Sequence, residues 1–114
     1  MKRGELWTAA GGPDYTSKLR TSKLRPALII QEDRFDQNDS ATICPITSDP
    51  GDFPLFRILI EPSPFNGLRV PSRVMADKVS TVSRTKLRKQ IGRLTDADMT
   101  RVDRALLIFL GLAR

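Results

Sequence analysis

The chain has 114 residues, with 19 Lys and Arg against 13 Asp and Glu, a formal net charge of +6, 39% hydrophobic and 28% charged residues. These proportions predict one small basic folded domain over residues 1–114 and leave no room for a disordered tail or a second catalytic domain. Histidine is absent, which excludes imidazole acid–base pairs, Ser-His-Asp and Cys-His nucleophiles and His-bearing metal sites. Cys44 is the single cysteine, so neither a disulfide nor a thiolate zinc cluster can form within the chain.

Met1 to Trp7 is charged and gives way to polar Thr8, without the apolar core of a signal peptide. The longest apolar run, Ala105 to Leu110, is too short to span a bilayer. A cytoplasmic location is expected. Glu5 to Ala9 has the composition of a short strand, and Gly11-Gly12-Pro13-Asp14 ends it and opens a long loop to Leu24. Thr16-Ser17-Lys18-Leu19-Arg20 recurs unchanged as Thr21-Ser22-Lys23-Leu24-Arg25, a period too short for stacked repeats, so the copy lengthens the loop and adds basic charge.

Pro26 to Ile30 and Thr42 to Ile46 are apolar runs of the length expected of buried strands, and Cys44 reads as a small core residue in the second. The connection between them holds Glu32, Asp33, Asp36 and Asp39. Its spacing does not match an EF-hand, and Arg34 interrupts it, so a solvated loop is expected. Leu55 to Ile60 predicts another strand, and the prolines of Glu61 to Gly67 mark a turn. Val70 to Val82 predicts one or two more strands, with Met75, Asp77 and Val79 on one face.

Thr95 followed by Asp96 and Asp98 predicts a helix start. Met99, Val102, Leu106, Phe109 and Ala113 then form the stripe that faces the sheet, with Arg101 and Arg104 toward the other side. The fold class is α+β, a small curled sheet or partly open barrel with a C-terminal helix.

Two basic clusters stand out, Lys18, Arg20, Lys23 and Arg25, and then Arg84, Lys86, Arg88, Lys89 and Arg93. Such charge suits phosphate, but a solvated basic surface explains it equally well. Tyr15, Phe35 and Phe65 fall in loops and are the aromatic residues available for base stacking.

In chain order, Lys2-Arg3-Gly4-Glu5-Leu6-Trp7, Lys23-Leu24-Arg25-Pro26-Ala27-Leu28-Ile29-Ile30, Pro45-Ile46-Thr47-Ser48, Asp77-Lys78-Val79-Ser80-Thr81-Val82 and Ile91-Gly92-Arg93-Leu94 resemble the MazF/PemK (Kid) toxins over nearly the whole chain. The resemblance implies an SH3-like barrel of the PemK/CcdB type that dimerises. It also implies metal-independent cleavage of single-stranded RNA, with no cofactor. A cognate antitoxin would neutralise the protein, and operator DNA would be bound only by the complex with that antitoxin. Position by position it implies catalytic roles for Arg25, Thr47 and Asp77. Lys18, Arg20, Lys23, Ser48, Arg73, Arg84 and Lys86 are then the expected RNA contacts.

Two departures stand beside these matches. The family's loop glutamate or histidine has no counterpart, and Met75 replaces an arginine of Kid-like members, with Arg73 two residues earlier on the same face of a regular strand. Taken without the resemblance, a surface ion pair for Arg25, a turn cap for Thr47 and a structural ion pair for Asp77 are the simpler readings. A CcdB-like inhibitor of DNA gyrase and a non-catalytic RNA-binding module are the alternatives for the chain as a whole.

Overall fold

A computed structural model describes residues 1–10, 24–51 and 53–113. The expected first loop, with Tyr15, Lys18, Arg20 and Lys23, lies outside the described residues. Strands β1 (Glu5–Ala10), β2 (Leu24–Ile29), β3 (Ser40–Thr47), β4 (Arg57–Ile60), β5 (Ser72–Met75), β6 (Ser80–Ser83) and β7 (Leu87–Arg93) precede one α-helix, α1 (Asp96–Phe109). The strands form one antiparallel sheet in the order β4-β5-β3-β2-β1-β7, with β6 also paired to β3. This is the expected α+β class. The terminal strands β4 and β7 are not paired to each other, so the sheet is curled and open and the expected barrel is not closed.

The apolar runs of β2 and β3 have a direct cause in the packing. Leu28, Cys44 and Ile46 enter a core shared with Leu6, Ile58, Ile60, Val74, Val102 and Ala105. Their neighbours Ala27, Ile29, Ala41 and Ile43 enter a second cluster with Ala9, Val82 and Leu87. Both faces of these central strands are therefore buried, which replaces polar–apolar alternation by continuous hydrophobicity. Pro45 stands on β3 between Ile43, paired to Ser80 of β6, and Ile46, paired to Val74 of β5. At that change of neighbour a residue without an N–H is least disruptive.

Three sequence expectations are corrected. Pro54 to Phe56 form a turn, so the strand begins at Arg57 rather than Leu55. The Val70–Val82 region contains β5 and β6 separated by a 3-10 turn, Ala76–Lys78, which breaks the regular alternation that put Arg73 and Asp77 on one strand face. Strand β7 was not anticipated, because on this edge strand Arg88, Lys89, Gln90 and Arg93 are exposed and hide its pattern.

Thr95 caps α1 as expected, its Oγ1 accepting from the Asp98 N–H at 3.1 Å. The buried helix residues are Val102 and Ala105, with Met99 and Leu106 partly packed. Phe109 is half exposed and Ala113 lies beyond the helix, which ends at Phe109 and is followed, after the Leu110 cap, by Gly111 with φ +77°. Among the described residues no helix is long and apolar enough to cross a membrane.

Candidate nucleic-acid interface

Antiparallel pairing fixes the relation between the Arg-Pro and Pro-Ile-Thr motifs. Ala27 is opposite Pro45 and Leu28 opposite Cys44. The same register carried two residues outward sets Arg25 across from Thr47. Both line one cavity of about 210 Å³, together with Asp49, Arg57, Met75 and Lys78. Arg25 also borders a second cavity of about 420 Å³ that includes Thr8, Leu24, Ser48 and Arg69. Arg25 Nε is buried with no hydrogen-bond partner among the described residues.

Thr47 Oγ1 accepts from the Asp49 N–H at 3.0 Å. The turn-cap reading of this residue is thus part of the structure, and it does not compete with chemistry. A hydroxyl whose oxygen accepts one bond still has its own O–H to donate.

Asp77 stands in the 3-10 turn after β5, and Arg57, at the start of β4, holds it by two bonds. Arg57 Nε donates to Asp77 Oδ1 at 3.2 Å and Nη2 to Oδ2 at 3.0 Å. Both side chains are largely buried, 15% and 16% exposed. The hydrogen bond to Asp77 holds the Arg57 guanidinium above its usual pKa, against the opposing effect of burial. The Arg57 guanidinium also lies 5.2 Å from the centre of the Phe53 ring. Arg57 reaches the cavity that Arg25 and Thr47 line, and Asp77 adjoins it through its two bonds to Arg57 without itself lining the wall.

The other predicted residues divide. Ser48 reaches the larger cavity beside Arg25. Arg73 is registered opposite Thr47 and Leu59, donates to the Asp49 carbonyl at 3.5 Å, and lines a neighbouring cavity of about 240 Å³ with Arg57 and Arg101. Arg84 is instead engaged within the fold, donating through Nε to the Asn38 carbonyl and pairing through Nη2 with Asp36 at 2.9 Å. It is anchored at the Ser40 end of β3, and Thr47 is at the other end, roughly 23 Å away along an extended strand. Arg84 is therefore not brought together with Arg25 and Thr47, and its guanidinium is engaged by Asn38 and Asp36. Lys86 is exposed on the 3-10 turn that precedes β7.

The model of the PemK-like, MazF-like toxins of type II toxin-antitoxin systems matches residues 2–110. The chain belongs to this family. It is 51% identical over 99% of both chains to a probable endoribonuclease MazF of Mycolicibacterium smegmatis, and 27% identical over 98% of both to the endoribonuclease MazF9 of Mycobacterium tuberculosis. The fold resembles that of the M. tuberculosis toxin MazF-mt6, with a TM-score of 0.76 at 24% identity over 98% of this chain and 100% of that one. It also resembles a chain of a MazE-MazF structure from Deinococcus radiodurans, with a TM-score of 0.78 at 21% identity over 99% and 97%.

Arg57, which lines the cavity and binds Asp77, is the candidate that the sequence reading missed. A signal was present, because Arg57 interrupts the apolar stretch Leu55 to Ile60. Ile58 and Ile60 point into the core, so alternation turns Arg57 and Leu59 the other way. Cys44 matches its expected core role, and burial pushes its thiol up to about 12, so it is no nucleophile at neutral pH.

Proposed function

We propose that this toxin is an endoribonuclease that cleaves single-stranded RNA without a metal, using the ribose 2′-hydroxyl as nucleophile. The observation that carries the reading is the meeting of Arg25 and Thr47 at one cavity from adjacent strands. RNA contains both the attacking hydroxyl and the phosphate it attacks, so the protein needs only to remove a proton and steady charge. Asp77 takes the proton from the 2′-hydroxyl. O2′ then bonds to phosphorus, the bond to O5′ breaks, and water supplies the proton that O5′ takes up. The products are a 2′,3′-cyclic phosphate and a 5′-hydroxyl.

Charge on the nonbridging oxygens is met by Arg25, whose planar fork suits two oxygens at once, and by the Thr47 O–H. Arg57 orients Asp77 by occupying one lone pair on each carboxylate oxygen, which leaves the others for a substrate hydroxyl. Arg57 therefore acts as a positioning residue for the base and adds positive charge beside the phosphate.

We read the open curled sheet as an SH3-like barrel of the PemK/CcdB type that completes its apolar surface by pairing with a second copy. Leu55 and Leu112 are 68% and 72% exposed, and Phe53, Phe109 and Leu110 are about half exposed. Phe53 stacks on Phe56, and Phe56 meets Phe109, so one aromatic row joins the β3–β4 connection to the end of α1. Apolar exposure of this kind favours a partner surface. An acidic antitoxin segment that folds over the basic site would be the inhibitor. A solved structure described as an endoribonuclease in complex with its cognate antitoxin, from a mycobacterial species, supports that partner class.

The test is to incubate purified protein with a defined single-stranded RNA in excess EDTA and to map the ends. Cyclic-phosphate termini that disappear in Arg25→Ala are expected. Intact RNA with a shifted complex would replace this reading by a binding module, and intact RNA with inhibited gyrase by a CcdB-like toxin.

A further inference from the structure

A cavity of about 390 Å³ lies beyond the proposed reaction site, with Leu59, Phe65, Arg93 and Arg101 in its wall. It is joined to that site by an unbroken chain of shared residues. Arg57 lines both the Thr47 cavity and the intermediate one, and Leu59 and Arg101 line both the intermediate cavity and this outer one. Leu59 is paired to Arg73, and Arg73 to Thr47, so the track begins only two strand spacings, roughly 10 Å, from the Thr47 backbone.

We propose that this outer cavity is a nucleotide subsite, in which Phe65 stacks a base of the single-stranded RNA and Arg93 and Arg101 hold its phosphates. The inference rests on the RNA-cleaving reading and extends it from the reacting phosphate to a flanking nucleotide. Phe65 is 51% exposed. Its carbonyl accepts from the Arg93 N–H at 3.1 Å, which holds the two backbones together, and both residues line this cavity.

The turn beneath it is built for that position. Asn66 is 4% exposed, accepts from the Ser63 and Leu68 N–H groups, and donates to the Glu61 carbonyl. Gly67 has φ +74°, and a Cβ there would lie 2.1 Å from the Ile91 carbonyl oxygen; a Cβ on Gly92 would lie 2.4 Å from the Asn66 backbone. Only glycines let the turn press this closely on β7. The backbone that carries Phe65 thereby has little entropy left to lose on binding.

Two carboxylates share the wall. Asp98 accepts from Arg101 Nη1 at 3.0 Å, which moderates that charge, and Glu61 is exposed. Arg93 has no such partner among the described residues and is the stronger phosphate contact. An aromatic side chain that shares a wall with two arginines favours a polynucleotide over an acidic peptide, for which a stacking platform is unnecessary.

The experiment measures binding of a fluorescently labelled, fully 2′-O-methylated single-stranded RNA, which cannot be cleaved, to the wild type, Phe65→Ala and Arg93→Gln, across a salt series. Thermal melting checks that each variant is folded. Phe65→Ala is expected to weaken binding ~5- to 160-fold, the equivalent of about 1–3 kcal/mol for one stacked base. Arg93→Gln is expected to lower the slope of log affinity against log salt by about 0.7, one single-strand phosphate contact. If the wild type binds and both variants match it in affinity and slope, the subsite is overturned while the cleavage reading stands. Unchanged RNA binding together with weaker capture of an acidic antitoxin peptide would overturn it in favour of a protein contact. Failure of the wild type to bind or cleave any single strand would remove both.

Discussion

Substitution of the Arg57–Asp77 pair separates a base from a scaffold. Each side chain is about five-sixths buried, and two bonds join them. Removing one member of such a pair strands the other charge and costs about 3–5 kcal/mol, and the partial exposure here argues for the lower end, about 3 kcal/mol. At about 4 °C per kcal/mol for a domain of this size, Arg57→Gln and Asp77→Asn should each lower the melting temperature by roughly 12 °C. The double variant should melt near the singles rather than at the sum, because the second substitution removes a charge already stranded.

Cleavage behaves differently from stability in the proposed mechanism. Loss of a general base costs about 10²- to 10⁴-fold, so Asp77→Asn should reach that range under conditions where it is fully folded. Arg57→Gln retains the carboxylate and should lose less. The assay is initial cleavage rate at saturating RNA, measured well below the melting temperature of each variant, next to denaturant unfolding. Asp77→Asn cleaving within about tenfold of the wild type, about 1.4 kcal/mol in barrier, while destabilised as described, would refute the base assignment and leave Asp77 a structural partner of Arg57.

Arg25→Ala should reduce kcat by about 10²- to 10³-fold, and Arg25→Lys should not restore it, since an ammonium cannot span two phosphate oxygens; single-turnover cleavage checks both. Arg84→Ala should leave RNA affinity unchanged and lower stability. Burial raises the Asp36 carboxyl, but the Arg84 hydrogen bond and the N-terminal ammonium outweigh it and bring its pKa below the usual value. The stability it contributes is present above about pH 3.9 and disappears as pH falls through the lowered value, so Arg84→Ala should flatten the acid limb of a denaturation series. Cys44 should resist thiol reagents at pH 8 until the chain unfolds. Its thiol titrates near 12 when folded and near 8.5 when unfolded, so stability should fall as pH rises above about 8.5, less steeply in Cys44→Ala.

What the sequence revealed followed burial on two sides. Strands β2 and β3 were visible as apolar runs because neither face meets water, and α1 because Thr95 and its following acids mark the first turn chemically. Strand β7 was hidden by the same rule in reverse: an edge strand with exposed Arg88 and Lys89 reads as a basic surface. The break at Ala76–Lys78 was invisible because Met75 and Ala76 are buried in sequence, as in a strand, although the backbone has turned. Motif order identified Arg25 and Thr47 as candidates, but their meeting depends on a register set by Ala27 and Pro45. Arg57 meets Asp77 across 20 residues, and local pattern holds no record of such a pairing.

Strand β3 joins these results. At its Ser40 end it pairs with β6, and Arg84 ties the following turn to Asp36 and Asn38. At its Thr47 end it has exchanged β6 for β5, and Arg73, Arg57 and Asp77 follow from that exchange through the β4–β5 register. Pro45 stands at the changeover, where β3 has no second neighbour. A sheet that kept β6 alongside β3 throughout would have no room there for β5, and Asp77, on the turn leaving β5, would not reach Arg57. The change of neighbour from β6 to β5 is thus a condition for assembling the cavity, and substitutions at the Ser40 end should alter folding while those beyond Pro45 alter chemistry.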